Sequence, residues 1–416
     1  MNHDAISRRA VLFRGACAAG GLILGGCASR RVQVASLNPA AGGGPADGPE
    51  SVVLGVYPTD QGSPAEAVRR ACRRLDWSWL KRGDTVLLKL SCNSHRAHPA
   101  VTSPNAVRAV IRELLERGAG RVLAGDQGGV VHVRLAEGDR RYRSTRELAG
   151  LNGLHDAIVE AGGIPYYFDE SGYEGGYFPA ARGSRSHWNE PLFLTTAVRQ
   201  ADHIVYLPRL GTHVLAGCTH GHKLAVGWLR DDSRFALHYG ADTFHEKYTE
   251  ISYLPEIRDR LRLVLSLSES AFTCVGPHTG TVGRPDGWLV VASRQLAAHD
   301  AVAAAALTWL RRNTGSGVHI VPPAYGPFSN LSNWLYVSTV VPGRTGLPWG
   351  RPDPFGYRAL AMHDFECGVT HDRALSRAWA LQGGVPAIIR VYADGCAPAP
   401  GFRNHLESFG GGILRM

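Results

Sequence analysis

DTVLLKLSCNSHRAHPAVTSPNAVRAVIRELLERGAGRVLAG, residues 84–125, is the stretch whose reading decides the fold. Residues 84–90 are a short, nearly continuous apolar run, the pattern of a strand covered on both faces. Ser103 can cap a following helix and Pro104 fits its first position, so a helix is expected from there to about Arg117. Residues 121–125, RVLAG, read as a second buried strand. Strand, helix and strand with short connections make a βαβ unit, and ligands in open parallel sheets sit beyond the carboxyl ends of the strands. Lys89, Asn93, His95, His98 and Asp126 all fall at or just past such ends.

Outward from this unit the pattern repeats. A strand is expected at 51–57 and an amphipathic helix at 64–80. Residues 134–143 read as a polar, Arg-rich surface loop, followed by helices at 144–150 and 154–161 and a strand at 164–168. An aromatic, Gly-rich insertion runs to 191, then a helix at 195–200 and a buried strand at 202–207. Further on, the sequence predicts a helix at 257–263, strands at 263–268 and 288–292, and an Ala-rich helix at 297–311. Residues 312–370 show no periodicity, and a helix at 372–381, a strand at 387–392 and a glycine-rich tail close the chain. The expected fold is α/β, a mostly parallel sheet with helices on both faces, built from βαβ units with long loop insertions over 51–416, of which 311–416 is an extension.

The first residues carry an address rather than a fold. Ser7-Arg8-Arg9-Ala10-Val11-Leu12 precedes a short apolar run that ends in Leu24-Gly25-Gly26-Cys27. A twin arginine before such a run is the signal for export of folded proteins, and Leu-Gly-Gly-Cys resembles a lipoprotein processing site. Residues 1–27 are therefore expected to be a signal, with lipid on Cys27 as the membrane anchor, and 28–50 a Gly/Pro-rich linker. The expected location is the cell envelope or periplasm. Residues 1–26 hold three arginines and one aspartate, so the 45 basic and 36 acidic residues fall to 42 and 35, a net +7. The excess is scattered, which argues against nucleic acid and suits a small anionic ligand or a membrane surface. Past Cys27 the cysteines are Cys72, Cys92, Cys218, Cys274, Cys367 and Cys396, with no CxxC pair. That argues against an iron–sulfur cluster or zinc ribbon, and leaves Cys367 with Cys396 as a candidate disulfide.

Chemistry concentrates at 207–245, LPRLGTHVLAGCTHGHKLAVGWLRDDSRFALHYGADTFH. These 39 residues hold five of the 18 histidines, His213, His220, His222, His238 and His245, with Cys218 and Lys223. Together with Lys89 and Asn93 on their strand, the Thr102-x-Pro104 helix start, Gly125-Asp126, Pro208-x-x-x-Thr212-His213, Thr219, Gly227, and SRQLAAHDAVAAAAL at 293–307 with Asp300, this stretch resembles the domain-of-unknown-function 362 family over roughly 51–310. The chain departs from the family where Gly211-Thr212-His213 replaces Lys-Thr-His, Lys223-Leu224 replaces Lys-Asn, and Cys92-Asn93 replaces Pro-Asn. It has no cysteine runs for the ferredoxin-like module that some members carry. A weaker likeness, His213-x₃-Gly217-x₅-Lys223 with His238 fifteen residues on, is to the N-terminal part of the nickel-pincer lactate racemase family. It implies histidines and a lysine that hold a nucleotide-derived nickel cofactor and move a proton or hydride.

Three readings compete for these residues. His213, Cys218, His220, His222 and His238 could bind a transition metal, zinc, copper, iron or nickel, with His220 and His222 converging on one ion if the backbone is extended. Alternatively, the histidines and Lys223 bind an anionic organic ligand and do acid–base work. In the third, they are satisfied loop residues, with His238 and His245 facing solvent; His278 and His299 are weighed the same way. Asp300 is either a first-turn carboxylate of its helix or a site residue. The candidate catalytic residues are His213, Lys223 and Asp126, and the candidate cofactor-binding residues are Lys89, Asn93, Thr219 and Asp300. The expected function is a metal- or cofactor-dependent envelope enzyme with redox or isomerase-type chemistry on a small molecule; the alternative is a non-catalytic metal- or ligand-binding lipoprotein.

Overall fold

A computed structural model describes residues 51–60, 62–213, 215–239, 243–313, 367–395 and 400–416. Thr85–Lys89 is β2, buried at all five positions, and Arg121–Gly125 is β3. Between them runs α2, Pro104–Glu116, capped by the Ser103 hydroxyl with Pro104 in its first turn. Around this unit lie β1, Ser51–Tyr57; β4, Ile164–Pro165; β5, His203–Tyr206; β6, Leu261–Ser268; β7, Trp288–Ser293; β8, Ile389–Gly395; and β9, Leu414–Arg415. They form one sheet in the order β9-β8-β1-β7-β6-β5-β2-β3-β4. Every pair is parallel except those made by β7, which runs antiparallel to β1 and β6.

Alternate side chains leave a strand on opposite faces, so a strand apolar at every position needs helices on both sides. Val86 and Leu88 pack with α1, Pro64–Cys72, with α2, and with α3, Thr145–Asn152, and α4, Leu154–Glu160. Leu87, Leu123 and Ile204 face the other way, onto Phe168, Trp228, α5, Asp231–Tyr239, and α6, Phe244–Ile251. On that same side β1 and β7 are covered by α7, Leu296–Asn313, α8, Arg373–Gln382, and α9, Pro400–Phe409. The small side chains from Ala301 to Ala306 are all buried and let α7 lie close to the sheet.

Four expectations are corrected. The helix expected over 64–80 ends at Cys72, whose carbonyl accepts from Trp77 Nε1 at 2.8 Å. The Arg-rich segment is a hairpin of Arg134–Ala136 with Arg140–Tyr142, and Arg134 is buried against Asp231 at 2.7 Å. At 257–263 there is a single turn, Pro255–Arg258, before β6 begins at Leu261. The glycine-rich tail holds α9 and β9. A second sheet was not expected: Gly217–Thr219, Gly211–His213, Ala271–Val275 and Gly280–Gly283 lie side by side in that order. Cys72, Cys92, Cys218 and Cys274 are free thiols, while Cys396 and 314–366 lie outside the described residues.

Candidate functional site

The adjacent parallel strands β5, β2 and β3 bring three carboxyl ends together, with Lys89 in register with Tyr206 and Gly125. Lys89 is completely buried and uses all three ammonium protons, on Asp126 Oδ1, Leu90 O at 2.9 Å and Leu224 O at 3.2 Å. The second Asp126 oxygen accepts from Cys92 N at 2.6 Å. A Cβ at Gly227 would overlap both charged groups, so only glycine lets the chain pass there. Lys89 and Asp126 are thus a saturated ion pair that ties the strand ends to the segment after Lys223, and the geometry gives them a structural task. Asn93 Oδ1 accepts from Ser91 Oγ at 3.1 Å, and Thr219 is buried in its hairpin opposite Gly211.

Beyond β5 the chain passes Pro208 and Arg209 into a hairpin in which Gly211–His213 pairs with Gly217–Thr219. His213 Nδ1 accepts two backbone amides, Leu215 N at 3.0 Å and Ala216 N at 3.2 Å. Its one proton therefore resides on Nε2, and burial, followed by the charges of Lys223 and Arg209, holds its pKa well below the usual histidine range. Lys223 is half-buried. Burial and then the positive charges of Arg234, Arg209 and Lys89 bring its pKa down to about 7. Arg234 itself is held by the carbonyls of Gly128 at 2.7 Å, Gly227 at 3.1 Å and Gln127 at 3.3 Å. His238 and His278 also act on His213. The rings of His95, His132 and His278 form an edge-to-face chain with spacings of 5.1 and 5.0 Å.

Asp300 organises the opposite wall. Its Oδ1 accepts from Gly221 N at 2.8 Å and His299 Nδ1 at 2.7 Å; its Oδ2 accepts from His222 N at 2.8 Å and His222 Nδ1 at 2.7 Å. Burial works to raise its pKa, but His222 and His299 outweigh that and hold it well below the usual carboxylate range. Both rings are then fixed with their protons on Nδ1, leaving His222 Nε2 at 3.4 Å from Tyr253 OH and His299 Nε2 at 3.1 Å from Ser266 Oγ. Cys218, His220, His222, Lys223, Asp300 and Asp372 line a cavity of about 20 Å³, room for one water-sized molecule. His220 is 3% exposed with neither ring nitrogen hydrogen-bonded among the described residues, and burial brings its pKa down to about 4.

Residues 86–305 match the family model "Domain of unknown function (DUF362)". The chain belongs to the DUF362 family. No curated protein sequence matches it. Among solved structures it is similar to the lactate racemase apoprotein from Thermoanaerobacterium thermosaccharolyticum, at 14% identity and a TM-score of 0.34, over 53% of this chain and 50% of the other. It is also similar to a Thermotoga maritima protein, at 15% identity and a TM-score of 0.31, over 50% and 49% of the two chains. The DUF362 chain spans about half the length of the solved structures it matches.

In this DUF362 protein three of the five expected metal ligands, Cys218, His220 and His222, line the same small cavity, while His213 ends the Gly211–His213 strand and is not among its lining residues. Among the described residues no three His, Cys, Asp or Glu side chains are placed to hold a metal ion. His213 Nδ1 is taken up by two backbone amides, and burial pushes the Cys218 thiol well above its usual pKa. His220 is the last extended residue and His222 lies in the one-turn helix Gly221–Leu224, so the extended run that would aim both at one ion is not formed. His238 is on α5, and His245 is fully buried rather than facing solvent. What the structure does bring together is a group of basic residues, with the charges of Lys223 and Arg209 acting on His213, and the His222 and Asp300 pair. Sequence reasoning missed Arg209, although it stands just past the expected strand at 202–207, the same criterion that selected Asn93 and Asp126. Arg234 and His132 had no local signal; the partners of Arg234 are about a hundred residues away for Gln127 and Gly128.

Proposed function

We propose that this DUF362 protein is a cell-envelope enzyme that binds a small organic anion, as substrate or cofactor, and catalyses an isomerase-type proton transfer. The observation that carries this reading is Lys223, a half-buried amine with a pKa of about 7 and no carboxylate within ion-pair distance among the described residues. Such an amine is present in both protonation states at neutral pH, the condition for efficient general acid–base work. In its neutral form Lys223 takes a proton from a carbon next to a carbonyl, becoming the ammonium ion. His213 donates its Nε2 proton as a hydrogen bond to the oxygen that gains charge, and Lys223 returns the proton to either face of the carbon. No electrons leave or enter, so no oxidant is needed. Arg209 and Arg234 supply the positive field in which the anion is held. The twin-arginine run and the Leu-Gly-Gly-Cys site support export and anchoring through lipid on Cys27. No helix among the described residues is long and apolar enough to cross a membrane.

The test is incorporation of solvent deuterium into a panel of 2-oxo acids, 2-hydroxy acids and sugar phosphates, followed by NMR. Exchange that rises with pH through about 7 and disappears in Lys223→Met is the expected result. No exchange across the panel, or exchange indifferent to Lys223, sinks the enzyme reading. The engagement of both Asp126 oxygens removes one carboxylate base from the proposed site and favours the second reading, a ligand-binding lipoprotein without turnover. In that case an anion from the panel binds and is recovered with no deuterium.

A further inference from the structure

We propose that Arg209 is the anchor for an oxyanion, a carboxylate or phosphate group, held bidentately on the Nε and Nη2 edge of its guanidinium. This names the ligand chemistry of the proposed site and rests on that reading for the identity of the site, though not for any turnover.

Arg209 is 2% exposed, and its one hydrogen bond is from Nη1 to Pro99 O at 3.1 Å, across to the loop that follows β2. Neither Nε nor Nη2 has a hydrogen-bond partner among the described residues, and Nε is sealed from solvent. No carboxylate lies within 4 Å of it among those residues. Three other buried arginines show the usual arrangement: Arg134 is paired with Asp231, Arg230 with Asp232, and Arg234 is surrounded by three carbonyls with Asp231 at 3.9 Å. A guanidinium always carries its charge, and leaving one buried with neither counterion nor filled donors is costly unless a ligand completes it.

The free edge is the one that matters. Nε–H and one Nη2–H are parallel donors spaced to meet the two oxygens of a carboxylate or phosphate, while the opposite side of the fork is the one already held by Pro99. Gly211 keeps the neighbourhood open, since a Cβ there would come within 3.3 Å of Nη1. The guanidinium charge acts on His98, His213, His220 and Lys223, and its neighbour in sequence, Leu210, leads directly into the Gly211–His213 strand. His220, 3% exposed, is a second buried polar group whose ring nitrogens have no hydrogen-bond partner among the described residues. An anion on Arg209 would offset the positive field on Lys223 and raise its pKa, coupling occupancy to the protonation of the amine.

The experiment is thermal unfolding of the exported protein in acetate, inorganic phosphate or chloride at matched ionic strength. Wild type is expected to show a saturable rise in midpoint with acetate or phosphate over chloride; a rise with phosphate alone assigns a phosphate group, and with acetate alone a carboxylate. Arg209→Met is expected to abolish that rise and to have a higher midpoint than wild type without anion, because the uncompensated charge is gone. Arg209→Lys keeps the charge but not the fork, and should weaken the anion effect about tenfold; it carries the test if the methionine variant does not fold. No saturable rise in wild type, or a rise that survives in these variants, overturns the proposal. Lys223→Met is expected to retain a saturable rise, so failure of the deuterium exchange leaves the anchor standing and failure of the anion effect leaves the exchange standing.

Discussion

Asp300 has four donors on two oxygens: two amides at the start of the Gly221–Leu224 turn and the Nδ1 protons of His222 and His299. Replacing it with alanine would leave all four buried donors without an acceptor, and Asp300→Ala should lose about 3–5 kcal/mol in urea unfolding, Asp300→Asn less. The carboxyl pKa is depressed in the folded chain, so its contribution is fully present above the ordinary carboxylate range and is lost as pH falls below it. Wild type should therefore lose stability more steeply in acid than Asp300→Asn. Lys223 gives the same sign in a higher pH window. Its folded pKa of about 7 lies below the ordinary 10.5, so between those values the unfolded chain binds a proton that the folded chain has released, and stability rises with pH across that window. Acylation of this amine should show a midpoint near pH 7, and Lys223→Met should flatten the alkaline rise. Lys223 was legible in the sequence as a lysine in a histidine-rich turn. The role of Asp300 was not, because it serves the start of another element 78 residues away rather than the first turn of its own helix.

At the scale of elements, the strand ends of β2 and β3 are locked by the Lys89 and Asp126 pair, and Gly227 is where a third segment crosses that pair. Gly227→Ala must push the two charges apart in a site where both are buried. It should cost about 3–5 kcal/mol in denaturant unfolding and disturb the position of Lys223, four residues away. A variant that unfolds within ~0.5 kcal/mol of wild type would show that the pair is not under this constraint. The strands at 51–57, 84–90, 121–125 and 288–292, and the α2 and α7 helices, were legible because continuous apolar runs and caps are local signals. The Gly211–His213 sheet was not. Its strands are three to five residues long, and its pairing joins Gly211 to Phe272, which no window of sequence contains. The Arg134 hairpin was hidden for a similar reason: its charge reads as exposure until Asp231, 97 residues on, is seen to meet it.

For the molecule as a whole, the mostly parallel sheet brings the carboxyl ends of β2, β3 and β5 together, and if the proposed anion is bound there its occupancy and folding are linked, so that export in the folded state would carry a tightly held ligand along. Arg8→Lys with Arg9→Lys should keep the full chain in the cytoplasm, folded and unprocessed, while Cys27→Ser should be exported but recovered in the soluble envelope fraction. A lipid chain contributes about 0.8 kcal/mol per buried CH₂, enough that its removal should shift the protein out of the membrane fraction even though the net +7 past residue 26 still attracts it to anionic lipid. Fractionation with intact-mass measurement reads both outcomes: a lysine-pair variant that is exported and processed normally rules out the folded-export route, and a serine variant that stays in the membrane in high salt rules out the lipid as the anchor. Comparing native intact masses of the retained and exported forms then tells whether an anion is acquired before or after crossing. A mass excess in both, lost in Arg209→Met, would mean that the proposed site is filled in the cytoplasm; an excess in the exported form alone would mean that the ligand is taken up in the envelope.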